Sequence, residues 1–160
     1  SGLIGQYAQG NQPSHHIAYL YAMAGKPWKT QARVREVMEK TYANHPDGIP
    51  GNDDGGQTSS WLLFSQLGFY PVNPASGIFI IGSPVFDQAD IMVKKDRVFS
   101  IVTKNNKPKN KYIQSAKLNG KDYNKTWISY GDIMEGGVLE LTMGENPNVN
   151  WGLEDLSSIL

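Results

Sequence analysis

WLLFSQLGFYP, residues 61–71, is where the periodicity of this chain changes, and reading it decides the fold. Trp61, Leu62 and Phe64 belong to an apolar helical run that begins near Thr58 and stops at Gly68. Glycine ends helices because it takes up a left-handed backbone without a steric penalty. Pro71 then keeps a helix from resuming. Residues before this junction carry helical spacing, and residues after it form short β-rich runs. An α+β chain is expected, with a helical segment over residues 1–70, a β segment over 71–152 and a tail over 153–160.

Moving toward the N-terminus, Ala43 to Gly56 is polar and rich in proline and glycine, hence a loop. A second helix is expected from Pro27 to Tyr42. Its buried stripe is Val34, Val37, Met38 and Tyr42, with Arg33, Arg35, Glu36, Glu39 and Lys40 largely outside. The first helix begins at Ser14, where Ile17, Leu20, Tyr21 and Ala24 fall at i, i+3, i+4 and i+7 on one face. Gly25 ends it and Pro27 prevents continuation.

Moving toward the C-terminus, strands are expected at Ile78–Ile81, Ile91–Lys94, Val98–Val102, Tyr112–Leu118, Thr126–Tyr130 and Val138–Met143. Asn119-Gly120 and Gly136-Gly137 are turn dipeptides. Short strands at this spacing suggest an antiparallel β-sandwich. Lys104 to Lys111 reads as a solvated hairpin loop, and no internal repeat is present.

Composition narrows the function. The 15 basic and 15 acidic residues cancel, which argues against nucleic acid or an anionic membrane as the main partner. Without cysteine there is no disulfide, thiolate nucleophile or thiolate zinc site. No apolar run approaches the ~20 residues of a membrane span. The opening SGLIGQYAQG lacks the charged and apolar regions of a signal peptide and reads as the interior of something longer.

Polar residues are densest in GNQPSHH (10–16) and GNDDGG (51–56), ahead of the first and third helices. Three helices joined by short connections pack up, down, up, so both loops lie at one end of the layer. Helix N-termini present unpaired N–H groups and a partial positive charge that favours a carboxylate anion, which suits Asp54 to act as a base. Adjacent Asp53 and Asp54 diverge and cannot face each other across a substrate. The amide oxygens of Asn11, Gln12 and Asn52 beside these carboxylates form an all-oxygen set that favours calcium over a transition metal. The plainer reading stands alongside: Asp, Asn and Ser before a helix usually cap it. His15 and His16 are neighbours about 100° apart around a helix and do not clasp one metal, so packing or capping is their simpler role. Asn124-Lys125-Thr126 fits a glycosylation acceptor pattern of the kind chance supplies. These residues alone specify a helical layer with a polar end joined to a β-sandwich.

Taken together, GNQPSHHIAYLY, GKPWKTQARVREVM, DGIPGNDDGGQTSSWLLFSQLGFYPVNP, IGSPVF and NGKDYNKTW resemble glycoside hydrolase family 92, the calcium-dependent exo-α-mannosidases. Order and spacing match over about residues 5 to 152, nearly the whole chain, while the tail from Leu153 has no part in it. The resemblance implies the last helices of an (α/α)6 barrel followed by a closing β-sandwich, taken from a much longer enzyme. It implies a mannose-containing glycan as substrate, a calcium cofactor, and a location in the periplasm or outside the cell. The implied mechanism is an inverting single displacement, whose acid and base stand roughly 6.5–9.5 Å apart.

By motif position, Asp54 matches the family's base, and Asn52 stands where many members place an aspartate that assists it. Gln12 matches a calcium-ligating amide, with Asn11 beside it and Asp53 a further contributor to the metal or its water shell. His15 and His16 line the substrate side. The family's acid is a glutamate upstream of GNQP, and nothing here matches it. Members cleaving α-1,2 linkages carry His-Glu before GNQP, where this chain has Ala8-Gln9; an α-1,3, α-1,4 or α-1,6 preference, or loose specificity, is implied instead. The alternative is a non-catalytic carbohydrate-binding or structural module retaining these residues. Helices cut from a barrel also expose apolar faces, so the chain is expected to need the remainder of the parent enzyme or to self-associate.

Overall fold

A computed structural model describes residues 2–159. The chain opens with a small antiparallel ribbon, β1 (Leu3–Ile4) and β2 (Tyr7–Ala8). A 3-10 turn at Gln12–Ser14 leads into α1 (Ile17–Met23), followed by α2 (Pro27–Thr41) and α3 (Gln57–Leu67). The limits of α2 follow from proline at its start, where a missing N–H costs nothing, and from extended backbone at Tyr42. Gly68 closes α3 at φ +104°, its N–H bonded to the Phe64 carbonyl. A Cβ there would lie 2.9 Å from Pro84 Cβ, so glycine answers both to the backbone and to the packing.

The β part comprises β3 (Phe69–Tyr70), β4 (Ile78–Ile81), β5 (Gln88–Lys94), β6 (Arg97–Lys104), β7 (Tyr112–Leu118), β8 (Lys121–Asp122) and β9 (Trp127–Ser129), then α4 (Tyr130–Glu135) and β10 (Gly137–Gly144). One sheet has the order β3-β4-β9 and the other β5-β6-β10-β7-β8. Their inner faces share one core: Phe69, Ile81 and Ile128 from the first meet Phe99, Ile101, Ile113, Leu139, Leu141 and Met143 from the second. The alternation along β6 and β10, with every second side chain buried, is the pattern of half-covered strands. A second core joins the helices through Tyr19, Val34, Val37 and Trp61, takes in Tyr70 and Ile80, and meets the first at Phe64.

The α+β class holds, with departures in detail. Among the strands described, pairings are antiparallel except β6 with β10, which run parallel. Residues 104–111 are therefore not a hairpin loop: β10 lies between β6 and β7, and this connection crosses its end. It is also tied down, since buried Asn110 donates to the Asn105 carbonyl and Asn106 to that of Val85. Arg35 is buried rather than outside, its guanidinium donating to Ser83 Oγ at 3.0 Å and to the Pro84 carbonyl. On α1 the buried residues are Ala18, Tyr19 and Ala22; the expected face, Ile17, Leu20 and Tyr21, is exposed at 41%, 40% and 37%. Ile17 and Tyr21 border a groove of about 270 Å³ that also takes in Ile4, Tyr7 and Val37. Among the described residues, no helix is long and apolar enough to cross a membrane.

Candidate active site

The loops before α1 and α3 touch. Gln12 donates its amide Nε2–H to the Asn52 carbonyl at 3.0 Å and to Thr58 Oγ1 at 3.3 Å, and Thr58 Oγ1 also donates to the Asn52 carbonyl. A Cβ on Gly51, which sits at φ +71°, would fall 2.6 Å from the Gly10 carbonyl oxygen. Gly51 thus lets the backbone of one loop approach that of the other, which a larger residue would prevent.

The neighbouring carboxylates have different surroundings. Asp53 accepts from the Ser59 N–H at 2.8 Å and from the Ser59 hydroxyl at 2.9 Å, so it satisfies an open N–H in the first turn of α3. Asp54 is exposed at φ +45°, followed by Gly55 and Gly56 at φ +68° and +90°. This left-handed run turns the chain into α3, and among the described residues the Asp54 carboxylate has no hydrogen-bond partner. Asn11, although it precedes the 3-10 turn, makes no capping bond with its side chain. The plainer capping role thus belongs to Asp53, and Asn11 and Asp54 are left for other work.

Behind the loops lies an aromatic wall. Tyr42 stacks on Trp61 at 5.9 Å and 4°, and the Trp61 indole N–H donates to the His15 carbonyl at 2.9 Å. Gln9 is buried: its Oε1 accepts from the Tyr7 hydroxyl, and its Nε2 donates to the Tyr42 hydroxyl at 2.6 Å. Burial pushes the Tyr42 phenol up to about 12, so it remains a neutral hydrogen-bonding group. His15 is buried as well, with Nε2 2.9 Å from the Gln9 carbonyl and Nδ1 3.2 Å from Gln57 Nε2. Desolvation lowers its pKa, which favours the neutral ring.

Of the sequence-derived candidates, Asn11, Gln12, Asn52, Asp53 and Asp54 come together in the two touching loops. Ala8 is half-buried in β2, and His16 is exposed at the start of α1. Gln9 and His15 are buried with their polar atoms engaged inside the chain, because the turn they bracket must satisfy its own buried groups. Gln57, Thr58 and Tyr42 complete the framework and escape sequence reading, since each carries an ordinary residue type whose role appears only through a partner far away in the chain.

Oxygen predominates among the groups facing outward. With Gln12 Nε2 committed to Asn52 and Thr58, its Oε1 has no partner among the described residues, and Asn11, Asn52 and Asp54 add amide and carboxylate oxygens. No group of three or more His, Cys, Asp or Glu suited to a metal occurs among the described residues. Amide and carboxylate oxygens are the donor type a calcium shell uses, 6–8 at a time.

The family model for the glycosyl hydrolase family 92 catalytic domain matches residues 1–145. An α-mannosidase of this family from Bacteroides thetaiotaomicron, solved with mannoimidazole, superposes on 96% of the chain with a TM-score of 0.91 and 40% identity. An inverting mannosidase of the family from the same bacterium covers 94% of the chain, with a TM-score of 0.88 and 40% identity. An uncharacterised secreted glycosidase of Arthroderma benhamiae is 35% identical over 146 residues, 89% of this chain. The chain spans about a fifth of each relative: 20% of both bacterial proteins and 19% of the fungal one. It belongs to glycoside hydrolase family 92, as a segment of the family's catalytic domain.

Proposed function

We propose that this chain is the C-terminal part of an inverting, calcium-dependent exo-α-mannosidase and supplies the base side of its site. The observation that carries this reading is the inequality of the two aspartates. Asp53 is held by Ser59, while Asp54, without a hydrogen-bond partner among the described residues, lies on the loop against which the Gln12 amide is docked. Asp54 takes a proton from a water that attacks the anomeric carbon from the face opposite the leaving oxygen. Asn52 has an amide in place of a second carboxylate, so it can orient that water through hydrogen bonds but cannot share the proton. With Asp53 occupied, the acid comes from another part of the parent enzyme. Gln12 and Asn11 present amide oxygens to the metal, and what calcium supplies when bound is positive charge beside the sugar hydroxyls. Ala8 brings neither charge nor ring to the leaving-sugar side, which supports cleavage of linkages other than α-1,2. A role outside the cytoplasm is supported by the secreted glycosidase among its relatives.

The test is an NMR time course of α-linked mannobiose hydrolysis by the parent enzyme and its Asp54→Asn variant, with and without a calcium chelator. β-Mannose should appear first, and the substitution should lower kcat about 10²–10⁴-fold. A loss under tenfold, or α-mannose as first product, overturns the assignment. If the parent binds mannosides saturably but turns over none of these disaccharides, the module reading takes its place.

A further inference from the structure

His15 holds both ends of the turn that carries the proposed metal ligands. Its ring Nε2 lies 2.9 Å from the Gln9 carbonyl, and its backbone N–H donates to the Gln12 carbonyl at 3.0 Å. The segment Gln9–Gln12 is therefore pinned at its first and last carbonyls by one residue. The other ring nitrogen reaches across to the second loop: Nδ1 is 3.2 Å from Nε2 of Gln57, the first residue of α3. A carbonyl can only accept, so Nε2 carries the proton and Nδ1 takes the amide N–H of Gln57. The His15 carbonyl in turn accepts from Trp61. Packing alone would need an aromatic ring at this buried position, but not two nitrogens bonded to the two loops that form the site.

We propose that His15 is a positioning residue: through Gln9 and Gln57 it fixes the Asn11–Gln12 amides against the Asp54 loop, and so sets calcium affinity. The calcium half of this statement rests on the function proposed above; the positioning half does not. Outer groups that orient metal ligands typically govern affinity by about 10–100-fold.

Three variants of the parent enzyme test it. His15→Phe keeps a ring against Trp61 and loses both ring bonds; His15→Gln keeps an uncharged donor for the Gln9 carbonyl; Gln57→Leu removes only the Nδ1 partner. Hydrogen exchange is read over residues 10–14, 51–56 and the distant β6–β10 pair, and calcium binding by titration calorimetry. His15→Phe should speed exchange in both loops about tenfold and raise the calcium Kd at least as much. His15→Gln should return both to within about threefold of wild type, and Gln57→Leu should loosen the second loop more than the first. Unchanged loop exchange in His15→Phe, or equal acceleration in β6–β10, overturns the proposal, the latter because it marks a merely structural role. Should His15→Phe unfold, Gln57→Leu decides: wild-type exchange at residues 51–56 overturns the proposal. Faster loop exchange in a protein whose wild type takes up no calcium supports the positioning and overturns the calcium reading. Faster exchange with an unchanged calcium Kd overturns the link between them.

Discussion

Ser59 captures Asp53 with two hydrogen bonds, and this gives two adjacent carboxylates different surroundings. A cap normally sits three residues before the N–H it binds; here the distance is six, because Asp54, Gly55 and Gly56 make a left-handed turn between them. The motif GNDDGG marked Asp54 as the candidate base from sequence, but the hold of Ser59 on Asp53 depends on this turn and was not legible there. Asp53→Ala should therefore cost about 1 kcal/mol of stability. Asp54→Asn, which keeps a residue tolerant of left-handed backbone, should stay within about 0.5 kcal/mol. Urea midpoints compare them directly, and a larger loss at Asp54 would reverse the assignment. His15 adds a pH dependence. Its folded-state pKa lies below the ordinary 6.5 because the buried ring resists charging. The unfolded chain thus binds a proton more readily, so this contribution to stability is complete above pH 6.5 and is lost as the pH falls below it. The gap in unfolding free energy between wild type and His15→Gln should narrow between pH 7 and pH 5. Parallel curves would mean that His15 does not titrate differently on folding.

At the scale of helices and strands, periodicity was informative wherever a residue's partners are local. The limits of α2 and β7 follow from their own sequence, and each of the six expected strands has its counterpart. What stayed hidden depends on distant partners: insertion of β10 between β6 and β7, their mixed directions, and burial of Arg35 against the chain after β4. One element was overlooked despite a local signal. Ser129 and Asp132 form a reciprocal capping box that starts α4, but the β-rich run before it drew Tyr130 into a strand. Gly68, by contrast, was read correctly as a stop, and its geometry makes a graded prediction. Gly68→Ala combines a left-handed φ with a Cβ 2.9 Å from Pro84, whereas Gly120 has a similar φ of +79° and open space around it. Gly120→Ala should cost about 1–2 kcal/mol from backbone strain alone. Gly68→Ala should cost more than that, because overpacking adds a further ~1–3 kcal/mol. Equal thermal shifts in the two variants would show that Pro84 yields without resistance.

For the molecule as a whole, the most informative surface is the one that α1 leaves uncovered. Ile17, Leu20 and Tyr21 have the spacing of a packed helical face, yet they stand exposed. An apolar stripe of this regularity is expected to be covered. The relatives are about five times longer than this chain, so the rest of the catalytic domain has ample length to cover it. A net charge of zero provides no long-range repulsion to keep bare copies apart. The isolated chain should therefore associate through this face. Sedimentation velocity across a hundredfold range of concentration should show its mean mass rising, and the double substitution Ile17→Lys with Leu20→Glu should hold it monomeric. Both positions are exposed, so the melting temperature of the variant should remain close to that of wild type. Its fluorescence with an apolar dye should also fall. If the variant associates as strongly as wild type, the contact lies elsewhere, and the outer face of the five-stranded sheet, where Met92 pairs with Val98, becomes the surface to alter next. If it is monomeric but melts many degrees lower, those side chains contribute to the fold of this segment itself, and the uncovered face is not waiting for the rest of the domain.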